Sequence, residues 1–481
     1  MTDNLKRSVG FPLGGGVRTK ARPIATLIII ALNIIVYAIT SYANAFLEIS
    51  DYWVSAGGFV PSLIANPLQW YRIFSSMFLH ADFFHILFNM YFLYIFGRAV
   101  ENALGGLRFL ALYVISGLVA SIFHTAFSFL GGFTAYVVPA IGASGAISGV
   151  LGAYLILFPG TSLVMGWGFL FFPFFFRMKA AYYLIFWFAT QLIYGYARMA
   201  GSTAVFAHAG GFIAGIALLS LVASKDRLIQ FRLARQQALF QAYVIFSPAP
   251  TKSAGLGKIT KTIIAVLLAS LLFGAAYASS GLSIKGYVKS ATIQYTYEGT
   301  PYMDYVGLQL PDVADQLASI TLDPTRILAN RLYAAGLLYD NSKRDYEGSF
   351  NWQGELRVAV DLGAFTRIID VPTAINLNGK FDADGFLNYG EGNLTTYVIE
   401  IIPPYPPRYQ YELRLSQSPV SYTFEFTSQT VNLTYITQCT GMVSLVATAF
   451  ALIVTLKKDR DLTLISEEPE RLMRPYTPYY V

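Results

Sequence analysis

The feature that most constrains this chain is a series of long apolar stretches that contain almost no charge. Hydrophobic residues make up 55% of the 481 residues and charged residues only 13%, with a mean hydropathy of +0.49. A soluble globular domain carries roughly 25% charged residues, whereas about 20 consecutive apolar residues are enough to cross a bilayer as a helix. The sequence therefore predicts a polytopic α-helical membrane protein, surrounded by the lipid bilayer.

Eight apolar stretches recur along the chain. We predict spans at residues 23–42, 83–100, 107–130, 144–158, 180–197, 205–222, 262–279 and 441–456. The first exceeds the apolar part of a signal peptide, so we predict that it is retained. The fourth, about 22 Å long as a helix, is shorter than a bilayer core of about 30 Å. Its start at Ser144 is therefore expected below the membrane surface, in a cavity lined by protein or water.

Composition changes along the chain predict its domains. They are a cytoplasmic lead at 1–22, a six-span core at 23–222, a basic cytoplasmic linker at 223–261, a seventh helix at 262–282, an extracytoplasmic mostly β domain at 283–436, an eighth helix at 437–456 and a cytoplasmic tail at 457–481. The β prediction comes from alternation such as Tyr-Thr-Phe-Glu-Phe-Thr at 422–427. Asp323-Pro324 predicts a helix start within it. The lead is expected to be disordered, and residues 159–179 to form an interfacial loop.

The positions of Lys and Arg predict the orientation. They cluster in the lead, the linker and the tail, which places both termini in the cytoplasm. This placement explains the net charge of +6 as topology, so no nucleic-acid partner is predicted. Two glycosylation patterns, at Asn393 and Asn432, agree with an extracytoplasmic domain. The single cysteine, Cys439, excludes an intrachain disulfide.

Four polar side chains from three spans are predicted to meet at one depth near the outer face. They are Ser144 in the fourth span, His208 in the sixth, and His85 and Asn89 in the second. Polar residues at membrane depth are costly, which makes them functional candidates. Pairs of glycines four residues apart let helices approach closely. Such pairs stand after the serine (Gly145 and Gly149) and after the histidine (Gly211 and Gly215).

This set suits nucleophilic catalysis. A serine hydroxyl needs a base to take its proton, and histidine titrates in the suitable range. His85 and Asn89 stand at i and i+4, on one helix face. With the Ser144 backbone N–H at a helix start, they are candidate donors to a developing oxyanion.

Each residue also has a structural interpretation. Ser144 alone is more often a packing residue, and His85 or Asn89 alone more often joins helices. His80 is expected in the interface region, and His124 to be structural. His80, His85 and His208 lack an acidic or cysteine companion for a metal, so neither a metal site nor a cofactor is predicted. The G-x-S-x-G elbow of soluble hydrolases is also absent.

The combination resembles the rhomboid intramembrane serine proteases over roughly residues 23–222. The GxSG motif of that family stands as Gly142-Ala143-Ser144-Gly145, and its HxxGxxxG motif runs from His208 through Gly211 to Gly215. Its HxxxN motif runs from His85 to Asn89 and is followed by Gly97 and Glu101. The resemblance implies a Ser144–His208 dyad, an oxyanion hole from His85, Asn89 and a backbone amide, and a fifth span that moves aside to admit a substrate helix.

The chain departs from the family in two places. The Trp-Arg pair of the first loop appears as Tyr71-Arg72, with Trp70 one position early. Many members stack an aromatic residue, four after the serine, on the histidine, but this chain has Ser148 there, so its base must be held in another way. No Asp or Glu is available as a third member, which the family's dyad does not require.

The sequence thus predicts a serine endopeptidase that cleaves transmembrane protein substrates near the outer membrane face. A non-catalytic rhomboid-like protein that binds membrane clients is the main alternative, and a metal or small-solute transporter is a third. The outer domain is expected to recruit substrates.

Overall fold

Nine helices of 14 residues or more organise the described part of the chain. The computed structural model describes residues 11–15, 22–169, 172–199, 204–242, 255–297, 300–310, 327–361, 366–402 and 411–466. The helices are α1 (Ile24–Ser41), α2 (Phe83–Leu104, with a π-helical turn at Leu93–Gly97), α3 (Gly106–Phe127), α4 (Ser144–Leu157), α5 (Ala180–Tyr196), α6 (Val205–Val222), α7 (Lys225–Ala242), α8 (Lys258–Ser279) and α9 (Leu433–Ile453).

Six of these helices are long and apolar enough to cross a membrane, namely α1, α2, α3, α6, α8 and α9. The predicted fourth and fifth spans correspond to shorter helices, α4 with 14 residues and α5 with 17. The predicted polytopic helical architecture is therefore confirmed. Short helices at Asp51–Gly57, Tyr71–Ser75 and Thr134–Val137 occupy connections that the sequence predicted only as loops.

The helix α4 lies at the centre of the bundle. All of its residues after Ser144 are buried, and its last carbonyls would lack partners in a helix that ends inside protein. Residues near the C-terminus supply them: Leu464 N–H donates to Leu157 O at 2.7 Å, and Thr463 Oγ1 donates to Ile156 O at 2.9 Å. The predicted polar tail thus begins with a segment that packs on the bundle and covers the end of α4.

Two segments differ from the sequence predictions. In the lead, predicted to be disordered, Phe11–Gly15 forms strand β1. In the region predicted as an interfacial loop, β2 (Ser162–Phe169) and β3 (Phe172–Lys179) form an antiparallel hairpin, and β1 pairs with β2. The physical reason is a period of two that the sequence reading missed: Leu163 and Met165 are buried, while the residues on either side of Leu163 are only half-buried.

The region between α8 and α9 is rich in β-structure, as predicted. The strands of its main sheet are β4 (Tyr287–Tyr297), β5 (Thr300–Leu310), β6 (Glu347–Asp361), β7 (Thr366–Phe381), β8 (Leu387–Thr396) and β11 (Val420–Asn432), and β9 (Ile399–Ile402) and β10 (Glu412–Leu415) form a separate pair. The main sheet is antiparallel and has the order β5-β4-β11-β8-β7-β6. The helix Ile327–Ala334 buries Leu328 and Leu332 in the core with the sheet. The predicted start signal of this helix, Asp323-Pro324, lies outside the described residues.

The sheet packs on the end of the bundle at which α4 begins. Tyr305 on β5 bonds through its hydroxyl to Ser62 Oγ of the first loop (2.9 Å) and to Ser290 Oγ of β4 (3.1 Å). Tyr136, from the connection before α4, bonds to Thr437 Oγ1 of α9 at 2.6 Å. All of these side chains are buried. The β-rich domain is therefore packed directly against the first loop of the bundle.

We predict that Tyr305→Phe weakens this packing. The phenyl ring keeps the apolar contacts, but the two serine hydroxyls lose a buried partner and keep only their bond to each other, at 3.0 Å. The expected cost is about 0.5–1.5 kcal/mol. Thermal unfolding in detergent should show a lower midpoint. The matched control is Tyr302→Phe, three residues earlier on the same strand and partly exposed, which should leave the midpoint unchanged. Equal midpoints for both variants would contradict the role of the Tyr305 hydroxyl.

Helices α4 and α6 pack closely at their glycines. A Cβ atom at Gly211 would collide with the carbonyl oxygen of Gly145, and one at Gly215 with that of Gly149. The colliding atoms are backbone, which cannot rotate away. The predicted glycine pairs therefore do what their spacing indicates and allow the two helix backbones to touch.

Gly215→Ala should separate α4 from α6. Overpacking typically lowers the free energy of unfolding by about 1–3 kcal/mol, and we expect a collision with backbone atoms to lie at the upper end of that range. We expect a lower melting temperature in detergent. Gly106→Ala is the control, because a Cβ there would meet its nearest neighbours at an ordinary 3.7 Å. Equal stability of Gly215→Ala and the parent would show that the two helices are free to move apart.

Candidate active site

The glycine contact brings Ser144 and His208 together. Ser144 is the first residue of α4, and His208 lies in the first turn of α6. Ser144 Oγ and His208 Nε2 are 2.7 Å apart, within hydrogen-bonding distance. Both residues are only half-buried, so the pair is reachable from outside the protein. This geometry allows the imidazole to accept the proton of the hydroxyl.

The other ring nitrogen of His208 has a partner that the sequence reading missed. His208 Nδ1 and Gln191 Oε1 of α5 are 2.9 Å apart. The indole of Trp187, one turn earlier on α5, lies with its centroid 6.1 Å from the imidazole centroid. The signal was present in the sequence, since Gln191 is a polar residue within an apolar span. Gln191 was missed because it lies in the fifth span, outside the motifs of the second, fourth and sixth spans.

Ser148 does not take the place of the aromatic residue that stacks on the histidine in many family members. Its hydroxyl donates to the Ser144 carbonyl oxygen at 2.6 Å, within α4. The hydroxyl is thus used in a bond to its own helix, a common arrangement for serine in membrane helices.

The loop before Ser144 is held by two backbone hydrogen bonds and passes close to His85 at a glycine. Gly142 has φ = +127°, a region that disfavours side chains, and its N–H donates to Ser76 O at 2.8 Å. A Cβ at Gly142 would lie 2.8 Å from His85 Nε2. The next N–H, of Ala143, approaches His80 Nε2 at 3.5 Å. Glycine is therefore required before the serine by both backbone conformation and space.

His85 faces this loop. Its backbone N–H donates to Asp82 Oδ1 at 2.9 Å, which caps α2. Its Nδ1 accepts from Ala81 N–H at 3.2 Å, which leaves Nε2 as the protonated nitrogen of the neutral ring. That nitrogen points towards Gly142. His85 thus presents a donor beside the backbone that leads into Ser144.

Asn89, the second predicted oxyanion donor, has a different partner. Its Nδ2 donates to the His85 carbonyl oxygen of its own helix at 2.9 Å, and the residue is buried. One of the two amide protons is therefore used within α2.

His80 and His124 are placed differently from each other. His80 is fully buried within the protein, and its ring lies between the Phe78 carbonyl and the Ala143 N–H. Its position at the depth of the membrane interface stays a prediction, because burial inside the protein does not fix the depth in the bilayer. His124 lines a cavity of about 430 Å³ near the start of α6, together with Pro139, Arg198 and Val205. Among the described residues, no group of three His, Cys, Asp or Glu side chains is arranged to hold a metal ion.

Two further motif residues support the bundle. The buried Glu101 accepts hydrogen bonds at its carboxylate from the N–H groups of Ala25 (2.9 Å) and Thr26 (2.8 Å), and so caps α1. The buried Arg72 donates from Nη1 to the carbonyls of Ser55 (2.6 Å) and Gly58 (3.0 Å). Burial lowers the pKa of Arg72 from its usual value. Arg72 therefore holds the first loop through its carbonyls.

Comparison with known proteins identifies this region. Residues 67–225 match the family model described as the Rhomboid domain. The chain contains a rhomboid domain. The resemblance predicted from the sequence is thereby confirmed, and the matched residues include all of the side chains gathered around Ser144.

Named relatives carry the same family name at modest identity. The chain is 30% identical over 137 residues to the mitochondrial rhomboid protein 1 of Saccharomyces cerevisiae, covering 28% of this chain and 37% of that protein. It is 35% identical over 134 residues to the rhomboid protease GluP of Bacillus subtilis, covering 28% of this chain and 24% of GluP. For the putative rhomboid protease YdcA of the same organism the identity is 39% over 89 residues, covering 18% and 42%. The chain thus spans less than half the length of each relative.

Proposed function

We propose that this protein is an intramembrane serine endopeptidase that cleaves transmembrane-helix substrates. The observation that carries the proposal is the 2.7 Å contact between Ser144 Oγ and His208 Nε2, formed within a rhomboid domain. The names of relatives such as GluP and YdcA support a protease activity. No bound cofactor is needed for the chemistry that follows.

The proposed reaction proceeds in two halves. His208 Nε2 takes the Ser144 proton while Oγ attacks a substrate carbonyl carbon, and the carbonyl π electrons move to oxygen. The oxyanion is stabilised by the Ser144 backbone N–H and His85 Nε2–H, with the remaining Asn89 amide proton as the third candidate. The C–N bond then breaks, and the imidazolium gives its proton to the leaving amine. Water repeats the steps on the acyl-enzyme, which releases the acid and restores the serine.

We further propose that the half of the membrane containing Ser144 faces the extracytoplasmic side, with both termini in the cytoplasm. The argument is the distribution of Lys and Arg. Substrates should unwind easily near the cleavage site, since a carbonyl that is hydrogen-bonded within a helix resists attack. Helix-breaking residues beside small ones meet that requirement.

Ser144→Ala and His208→Ala should each abolish cleavage of a model transmembrane substrate in liposomes. Losing a member of such a pair lowers kcat by roughly 10⁴–10⁶-fold. A fluorophosphonate probe should label the parent and not Ser144→Ala. The matched control is Ser148→Ala, one turn along α4, which removes a hydroxyl bonded only to its own helix and should retain activity.

The outcomes separate the alternatives. A parent that binds the substrate but neither cleaves it nor reacts with the probe would support a non-catalytic binding protein. Undiminished cleavage by Ser144→Ala would place the nucleophile elsewhere.

We also propose that the β-rich domain recruits substrates. An open groove of about 550 Å³ lies between the first loop and the sheet, lined by Tyr52 of the loop and by Tyr302, Glu391, Phe424 and Glu425 of the strands. The domain lies at the end of the bundle at which Ser144 is found. Two carboxylates beside aromatic rings favour an extended, cationic segment of a substrate just outside its membrane helix.

Glu391→Gln with Glu425→Gln tests this role. The double variant should raise the KM for a substrate whose outer segment carries Lys or Arg by about 5–30-fold, corresponding to the loss of two exposed charge contacts of roughly 0.5–1 kcal/mol each, and leave kcat unchanged. A substrate with the same membrane helix and a neutral outer segment is the control and should be unaffected. An unchanged KM for both substrates would show that the groove does not bind them.

A further inference from the structure

The position of Gln191 beside His208 bears on how the base is oriented. The hydrogen bond from His208 Nδ1 to Gln191 Oε1 is 2.9 Å long, and the one from Ser144 Oγ to Nε2 is 2.7 Å long. The three side chains come from three different helices: Gln191 is on α5, His208 on α6 and Ser144 on α4. The imidazole is therefore held at both of its nitrogens.

The two bonds are consistent with only one neutral tautomer of a working base. A general base must present a lone pair to the serine, so Nε2 must be unprotonated and the ring proton must be on Nδ1. An acceptor facing Nδ1 stabilises that tautomer, whereas a donor facing Nδ1 would place the proton on Nε2, where it would oppose the hydroxyl. With Oε1 turned towards the ring, Gln191 supplies the acceptor.

We propose that Gln191 is the positioning residue of the site, which fixes the tautomer and orientation of His208 without carrying a charge. The inference rests on the proposed protease function. Within the described residues, the hydrogen-bond partners of the His208 ring are Gln191 and Ser144, and neither is a carboxylate. Ser148 is bonded to its own helix.

The test compares Gln191→Met, Gln191→Glu and the control Thr190→Val. Methionine keeps the length of the side chain but removes the acceptor, and glutamate keeps only acceptors. Thr190 is the neighbouring polar residue of α5, and its hydroxyl donates to the Trp187 carbonyl of its own helix at 2.6 Å. Each variant is assayed for cleavage of a model transmembrane substrate in liposomes, and for the rate of fluorophosphonate labelling.

We expect Gln191→Met to lower kcat by about tenfold, the effect of losing one hydrogen bond, with KM unchanged and labelling slowed by the same factor. Gln191→Glu should restore activity above that of the methionine variant. Its carboxylate also stabilises the imidazolium, so the acidic limb of its kcat/KM profile should move to higher pH. Thr190→Val should match the parent in every assay.

Three results decide the matter. A methionine variant as active as the parent would overturn the inference. It would also be overturned if the methionine and glutamate variants were equally slow and both kept the pH profile of the parent, because that pattern indicates a packing role alone. A parent that neither cleaves nor labels would overturn the proposed function itself, and the inference with it. The labelling of the parent therefore distinguishes the two failures.

Discussion

The contact between the backbones of α4 and α6 is the constraint on which the rest of the structure depends. Where Gly211 and Gly215 face the carbonyls of Gly145 and Gly149, no side chain separates the helices. A separation set by backbone atoms varies less than one set by flexible side chains. Because Ser144 and His208 lie in the first turns of these two helices, their distance is fixed by the same contact.

Because the central helix α4 is short and ends inside the protein, its last carbonyls need hydrogen-bond partners, and residues far along the chain supply them. The first turn of α4 follows Gly142, whose positive φ suits glycine, and the last carbonyls of α4 accept hydrogen bonds from Thr463 and Leu464. The tail is in turn fixed by Asp459, which pairs with Lys261 of α8 at 2.7 Å. Helices α8 and α9, which follow the rhomboid domain, thus help to satisfy the end of the helix that carries the candidate nucleophile.

The sequence allowed the helices, the β-rich region and the convergence of Ser144 with His208 to be predicted, because each leaves a periodic or motif-like signal. It did not allow prediction of contacts that depend on side-chain direction between separate elements. The burial of His80 between Phe78 and Ala143, for example, has no local signature in the sequence. The strands β2 and β3 were predicted as a loop because their alternation is short and rich in aromatic residues. The contact of Gln191 with His208 could not be predicted because it depends on how α5 packs beside α6.

An amide beside His208 has a physical advantage over the carboxylate that soluble serine proteases use. At membrane depth an ionised carboxylate is costly to desolvate, and it would have to be paired or exposed to water. A neutral amide still selects the tautomer in which Nε2 is free, although it stabilises the imidazolium less. Gln191 belongs to α5, which packs on α6 through stacked rings such as Phe188 and Phe212. A displacement of α5 by more than a hydrogen-bond length would therefore release the His208 imidazole. In this arrangement the orientation of the candidate base depends on where the fifth helix lies, whereas its distance from Ser144 depends on the glycine contacts between α4 and α6.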